Sequence, residues 1–164
     1  MFSLFKKKKE EEQKQLVAYI SGKVIPIEQV NDPTFAEKML GDGIAIEPIE
    51  NIIVSPGNGI VTMVMADSKH AVGITLNNGI EILIHEGLDT VNLQGKGFEL
   101  YVKEGQKVKA GDKLLSFDEK ILKEHKLDKT CIMVVLNSSE HSDLRFYTEL
   151  EVMAGETVVA EKMD

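Results

Sequence analysis

Cysteine is nearly missing from this 164-residue chain, where Cys131 stands alone. One thiol cannot close an internal disulfide, so nothing in the sequence calls for an oxidising compartment. Basic residues are also short: 19 Lys and Arg face 27 Asp and Glu, a net charge of −8. Nucleic-acid binding draws its affinity from a basic face that displaces counterions, so that class is excluded. Long hydrophobic runs are absent. Stretches such as 60–66, interrupted by Thr62, fall far short of the roughly 18 apolar residues that span a bilayer. No CxxC or HExxH spacing occurs, which removes the common frameworks of a structural zinc module and of a zinc hydrolase.

What is present begins with a charged N-terminus, MFSLFKKKKEEEQKQ. A secretory signal places its charge first and a longer apolar stretch after it, and this order is reversed. Residues 1–15 hold five lysines against three glutamates and read as a flexible, solvated tail. Phe2, Leu4 and Phe5 beside Lys6–Lys9 would also suit a peripheral contact with an anionic membrane, at about 1 kcal/mol per charge near the surface. Residues 16–164 have the length of one ordinary domain with its own core.

From Leu16 onward, short apolar runs are cut by glycine and asparagine at close spacing, the pattern of an antiparallel sandwich or barrel. Strands are expected at 16–20, 22–27, 43–47, 52–54, 59–65, 70–76, 80–85, 97–102, 107–109, 113–117, 130–136, 146–153 and 157–160. Two short helices interrupt them: 33–40, with Asp32 as cap and Pro33 in the first turn, and 119–125 after Asp118. With no βαβ alternation, the fold class is all-β. A faint echo links 21–27 to 56–64 and 104–117 to 154–160. Such glycine-turned hairpins also occur in lipoyl and biotinyl carriers, but Lys162 and Met163 stand in the wrong order for a biotinyl lysine.

The informative stretch is HAVGITLNNGIEILIH, residues 70–85, with a turn signal in its middle and a histidine at each end. A two-residue turn at Asn77 and Asn78 pairs positions that sum to 155, placing His70 opposite His85. A turn at Asn78 and Gly79, the stronger dipeptide signal, gives 157 and makes the histidines diagonal neighbours. Both registers put the imidazoles on one face, within reach of each other. A three-residue loop, with a sum of 156, would separate them. Alternation assigns Ile80, Ile82 and Ile84 to the core, and Glu81, Leu83 and His85 to the other side.

Around His85 the chain reads GIEILIHEGLDTVNLQGKGFE, with SKHAVG before it, DPTFAEKMLGDGIAIEP at 32–48 and EGQKVKAGDKLLSFD at 104–118. Together, from about Val17 to Val159, this resembles the IIA component of the glucose family of the bacterial phosphoenolpyruvate-dependent sugar phosphotransferase system. The resemblance implies a flattened antiparallel β-sandwich of the duplicated hybrid motif type, with short helical turns. It implies a cytoplasmic phosphohistidine relay between a histidine phosphocarrier protein and a cysteine on the IIB domain of a sugar permease, with no cofactor required. By motif, His85 is the phosphorylated nucleophile, His70 stabilises the phosphoryl group, and Ser68 orients His70. Phe35, Met39, Leu40, Leu83 and Val91 match apolar positions ringing the family's site, and Asp32, Asp42 and Asp89 add acidic steering beside them. An imidazole of ordinary pKa near 6.5 is largely neutral at pH 7 and attacks phosphorus without a separate base.

Departures from the family pattern stand at Ala66 and Asp67, which thin the apolar rim, at Cys131 and Ile132, and at Glu86. Cys131, followed by an apolar run, reads as inert core; His125 and His141 read as solvated. Gly87 allows a bend that could bring the Glu86 carboxylate back toward a phosphate on His85 and repel it. Two alternatives come from other classes. His70 and His85 could hold zinc if a partner's carboxylate completed the ligand set, and the same patch could serve a regulatory protein that binds its targets according to phosphorylation state.

Overall fold

The computed structural model describes residues 13–163. The expected tail therefore lies largely outside the described residues, and its last members belong to the fold. Gln15 opens the first strand, and the Lys162 N–H donates to the Lys14 carbonyl at 2.8 Å.

The fold is all-β. In chain order the strands are β1 (Gln15–Val17), β2 (Gly22–Pro26), β3 (Asp42–Pro48), β4 (Ile52–Val54), β5 (Gly59–Val64), β6 (Ala71–Leu76), β7 (Glu81–Glu86), β8 (Phe98–Leu100), β9 (Lys107–Val108), β10 (Lys113–Phe117), β11 (Cys131–Val135), β12 (Leu144–Phe146), β13 (Leu150–Val152) and β14 (Val158–Lys162). An eight-stranded sheet runs β13-β2-β3-β11-β7-β6-β5-β9, and two three-stranded sheets run β1-β14-β12 and β4-β10-β8. Every pairing is antiparallel.

The large sheet is apolar on both faces over its centre, and the two faces have different cover. Alternation sends Ile82 and Ile84 of β7, Ile44 and Ile46 of β3, and Met133 and Val135 of β11 into the main core with β1, β10 and β14. The opposite face carries Ala45, Ala71, Leu83, Ile132 and Val134. It is capped by the connection from β2 to β3, through Ile27, Val30 and Phe35. That connection makes one 3-10 turn, Ile27–Gln29, and one turn of helix, α1 (Pro33–Ala36). Helix α1 starts where expected, since the Asp32 side chain accepts from the Thr34 N–H at 2.9 Å and Pro33 needs no amide partner there. It stops at Ala36, short of the expected 40, because Lys38 takes a left-handed φ of 57°. Helix α2 (Glu119–Glu124) is capped by Asp118 as expected.

The run expected as one strand at 146–153 is two. Glu149 has a φ of 63°, and this break moves the chain from β12, paired with β14, to β13, paired with β2. The hairpin register also differs from both favoured readings. Ala71 lies opposite His85 and Thr75 opposite Glu81, so pairs sum to 156. The loop has three residues, 77–79: the Leu76 N–H donates to the Ile80 carbonyl at 2.8 Å, the Gly79 N–H returns to the Leu76 carbonyl, and Gly79 takes a φ of 89°.

Candidate functional site

A register of 156 was expected to part the histidines, yet their rings meet. The centroids are 4.6 Å apart with planes at 88°, an edge-to-face pair. Regular alternation would put His70 on the main-core face, since its carbonyl accepts from the Glu86 N–H at 2.8 Å. His70 precedes β6, however, and Lys69 before it is left-handed at φ 57°, so the chain has left extended geometry where alternation would apply. His85 keeps its strand position between Ala71 on β6 and Ile132 on β11.

The two imidazoles are held differently. His70 is buried, and its Nδ1 lies 2.8 Å from Ser68 Oγ, which places Ser68 where the sequence expects an orienting hydroxyl. His85 is half-buried; its Nδ1 is shut away from solvent with no hydrogen-bond partner among the described residues. Phe35 leans on the His85 ring at 5.0 Å between centroids and 56° between planes. Burial holds His70 below the usual histidine range. Burial, with the nearby His70, brings His85 down to about 4, against the opposing pull of the Gly87 backbone and the Asp32 carboxylate. His85 is therefore a neutral imidazole over the physiological range.

Beyond β7 the chain turns sharply at Gly87, φ 75°, whose N–H donates to the Thr130 carbonyl at 2.9 Å. A Cβ built there would lie 2.5 Å from Thr90 Cγ2 and 2.9 Å from the Asp128 carbonyl oxygen, so only glycine fits. Thr90 Oγ1 donates to the Glu86 carbonyl at 2.6 Å and closes the loop before the 3-10 turn Thr90–Leu93. Thr90 belongs to the motif, but its role as a loop clasp was not read from it.

The bend does not return Glu86 to the phosphate. Its side chain projects to the opposite face, fully buried, opposite Cys131 and near Tyr19; both carboxyl oxygens lack a hydrogen-bond partner among the described residues. Burial drives the carboxyl well above its ordinary range, with the Cys131 thiol and Lys129 acting the other way. Cys131 is buried core, as expected. His141, expected to be solvated, is half-buried with Nδ1 enclosed, whereas His125 is exposed.

The expected apolar ring divides by burial. Met39, Leu40 and Val91 are 70%, 41% and 52% exposed, whereas Phe35 and Leu83 are buried at 5% and 8%. Val91 also borders a hollow of about 890 Å³ lined by residues 65–69 and Gln94, next to Ser68. Asp89 is exposed, and Asp32 is close enough to His85 to affect its charge. Asp42 stands apart: it is in register with Ile82, three positions along β7 from His85, and its carboxylate is engaged by Lys38 and by the Gly43 amide. Among the described residues no group of three or more His, Cys, Asp or Glu side chains could hold a metal.

Residues 14–141 match the family described as phosphoenolpyruvate-dependent sugar phosphotransferase system, EIIA 1. The chain belongs to this family. Within the EIIA family it is 43% identical over 159 residues to the PTS system glucose-specific EIIA component of Bacillus cereus, covering 97% of this chain and 94% of that protein. It is 42% identical over 161 residues to the component of the same name from Oceanobacillus iheyensis, covering 97% of each. The raffinose carrier protein of Pediococcus pentosaceus is 51% identical over 125 residues, 76% of this chain and 19% of that one. Among solved structures, glucose permease IIA from Mycoplasma capricolum superposes with a TM-score of 0.79 at 39% identity, over 89% of this chain and 93% of that chain. Family membership makes the chain a component of a sugar phosphotransferase system, and its antiparallel β-sandwich is the fold it shares with the solved neighbour.

Proposed function

We propose that His85 accepts a phosphoryl group from a histidine phosphocarrier protein and passes it to a cysteine on the IIB domain of a sugar permease. The observation that carries this reading is the edge-to-face pair of a neutral, half-buried His85 with the buried His70. With Nδ1 enclosed, Nε2 is the nitrogen free to attack. Its lone pair forms a P–N bond while the carrier's P–N bond breaks and leaves its electron pair on the carrier's imidazole. In the second step a cysteine thiolate attacks phosphorus and His85 leaves as the neutral ring. No separate base is needed in either direction.

His70 assists without receiving phosphate. A Ser68 O–H donated to His70 Nδ1 fixes the tautomer with a proton on Nε2, which can donate to the phosphoryl oxygens as charge moves between them. Met39, Leu40 and Val91 form the dry rim that the two partners share in turn, and Asp32 and Asp89 steer a basic partner onto it.

The test is incubation with phosphoenolpyruvate, the first phosphotransferase enzyme and the phosphocarrier, followed by mapping of the acid-labile phosphate. Phosphate on His85 is the expected result; phosphate on His70 or Cys131, or none, overturns the assignment. For the assisting role, His70→Ala is expected to slow both acceptance and donation, and unchanged rates would refute it.

A further inference from the structure

Phe35 matches an apolar position of the family's partner-facing ring, yet here it is 5% exposed and its ring leans on His85. A side chain so covered offers a partner almost no surface. It does offer His85 a wall. Around that imidazole stand Ala71 and Ile132 on the flanking strands, His70 edge-on at 4.6 Å, and Phe35 at 5.0 Å from above. Two walls belong to the sheet and one to the short turn before it. Phe35 alone belongs to the capping connection, and its place there is set by the Asp32 cap, whose backbone carbonyl accepts from the Phe35 and Ala36 N–H groups at 3.1 and 2.9 Å.

We propose that Phe35 is a positioning residue for phosphoryl transfer, a wedge from α1 that holds the His85 ring in the rotamer aiming its attacking nitrogen outward. The proposal rests on the relay reading of His85. An imidazole on a strand has several staggered χ1 wells, each of which aims the attacking nitrogen in a different direction. The wedge removes the others before the partner arrives, so no rotamer has to be selected during the encounter. A loss of near-attack geometry slows the transfer itself, whereas loss of a docking contact weakens association and leaves the saturated rate intact.

The variants Phe35→Leu, which keeps apolar volume without the ring, and Phe35→Tyr, which keeps the ring, separate these roles. Transfer is measured from phosphorylated carrier at increasing carrier concentration. Phe35→Leu is expected to lower kcat by roughly tenfold or more with KM within about twofold, and Phe35→Tyr to restore most of it. Raised KM with unchanged kcat would overturn the proposal in favour of docking. The second readout needs no partner: three-bond couplings of His85 in the full-length protein report χ1. One dominant rotamer in the wild type and averaged couplings in Phe35→Leu are expected; unaveraged couplings in a folded Phe35→Leu refute the wedge. If the wild type accepts no phosphate, the relay reading fails, while the couplings still decide whether Phe35 fixes the ring.

Discussion

Glu86 and His85 are neighbours in the chain whose surroundings push their charge in opposite pH directions. The Glu86 carboxyl is fully buried and raised well above the ordinary carboxylate range. A raised acid contributes stability that is complete below its unfolded value, near 4.5, and is lost as pH climbs toward the folded one. Relative to Glu86→Gln, the wild type should lose about 1.4 kcal/mol per pH unit across that window. Denaturant melts at pH 4 and pH 8 should therefore diverge, and parallel curves would show the carboxyl solvated. Because Glu86 faces away from the site, Glu86→Leu should leave the equilibrium phosphorylated fraction unchanged; a rise would revive the repulsion expected from a bend at Gly87. His85 runs the other way. Its folded value of about 4 lies below the unfolded histidine range, so its contribution is present above pH ~6.5 and is lost as pH falls through 4. An NMR titration should find the His85 imidazole neutral at pH 5.5, where an ordinary histidine is about nine-tenths charged. A midpoint near 6.5 would contradict the desolvated site.

At the scale of elements, the site depends on where strands stop rather than on the strands themselves. Gly87 ends β7 in a turn with no room for a methyl group, so Gly87→Ala must either open the Thr90 clasp or shift the Asp128 carbonyl. The cost of its φ alone is about 1–2 kcal/mol, and the close contacts add to it. Thermal melting should show a drop of several degrees; an unchanged midpoint would show the loop to be pliant. The same distinction sets what was legible. The alternation of Ile80, Ile82 and Ile84, the Asp32 and Asp118 caps and the presence of a turn within 77–79 follow from local chemistry, and these appeared in the sequence. The register of 156 did not, because a two-residue and a three-residue loop both fit Asn77, Asn78 and Gly79. Left-handed Lys38, Lys69 and Glu149 were invisible for another reason: lysine and glutamate do not announce positive φ, so tertiary packing imposes it. The meeting of His70 with His85 thus combined a correct expectation of proximity with the wrong route to it.

Across the whole molecule, the large sheet separates two functions by face. One face is sealed against the smaller sheets and supplies the bulk of the core; the other is covered by the connection from β2 to β3, with Leu88 and Met65 from neighbouring loops, and His85 is half-buried there. Exposed Met39 and Leu40 lie just past α1, and exposed Val91 lies in the turn beyond Gly87, so the rim is assembled from two connections that flank the histidines. Apolar side chains this exposed contribute little to stability, because they are not removed from water on folding; in the proposed relay a partner buries them. Replacing Met39 and Val91 together with serine should therefore leave the melting midpoint within a degree or two while weakening association. Each fully buried apolar side chain is worth about 1.5–3 kcal/mol, and a relay contact that buries only part of each should lose roughly five- to thirtyfold in affinity for the double change. In transfer kinetics from the phosphorylated carrier, this should read as a raised KM at constant kcat, the reverse of the pattern expected for Phe35→Leu. A double variant that lowers kcat at unchanged KM would mean that the exposed rim shapes the chemistry and not the encounter.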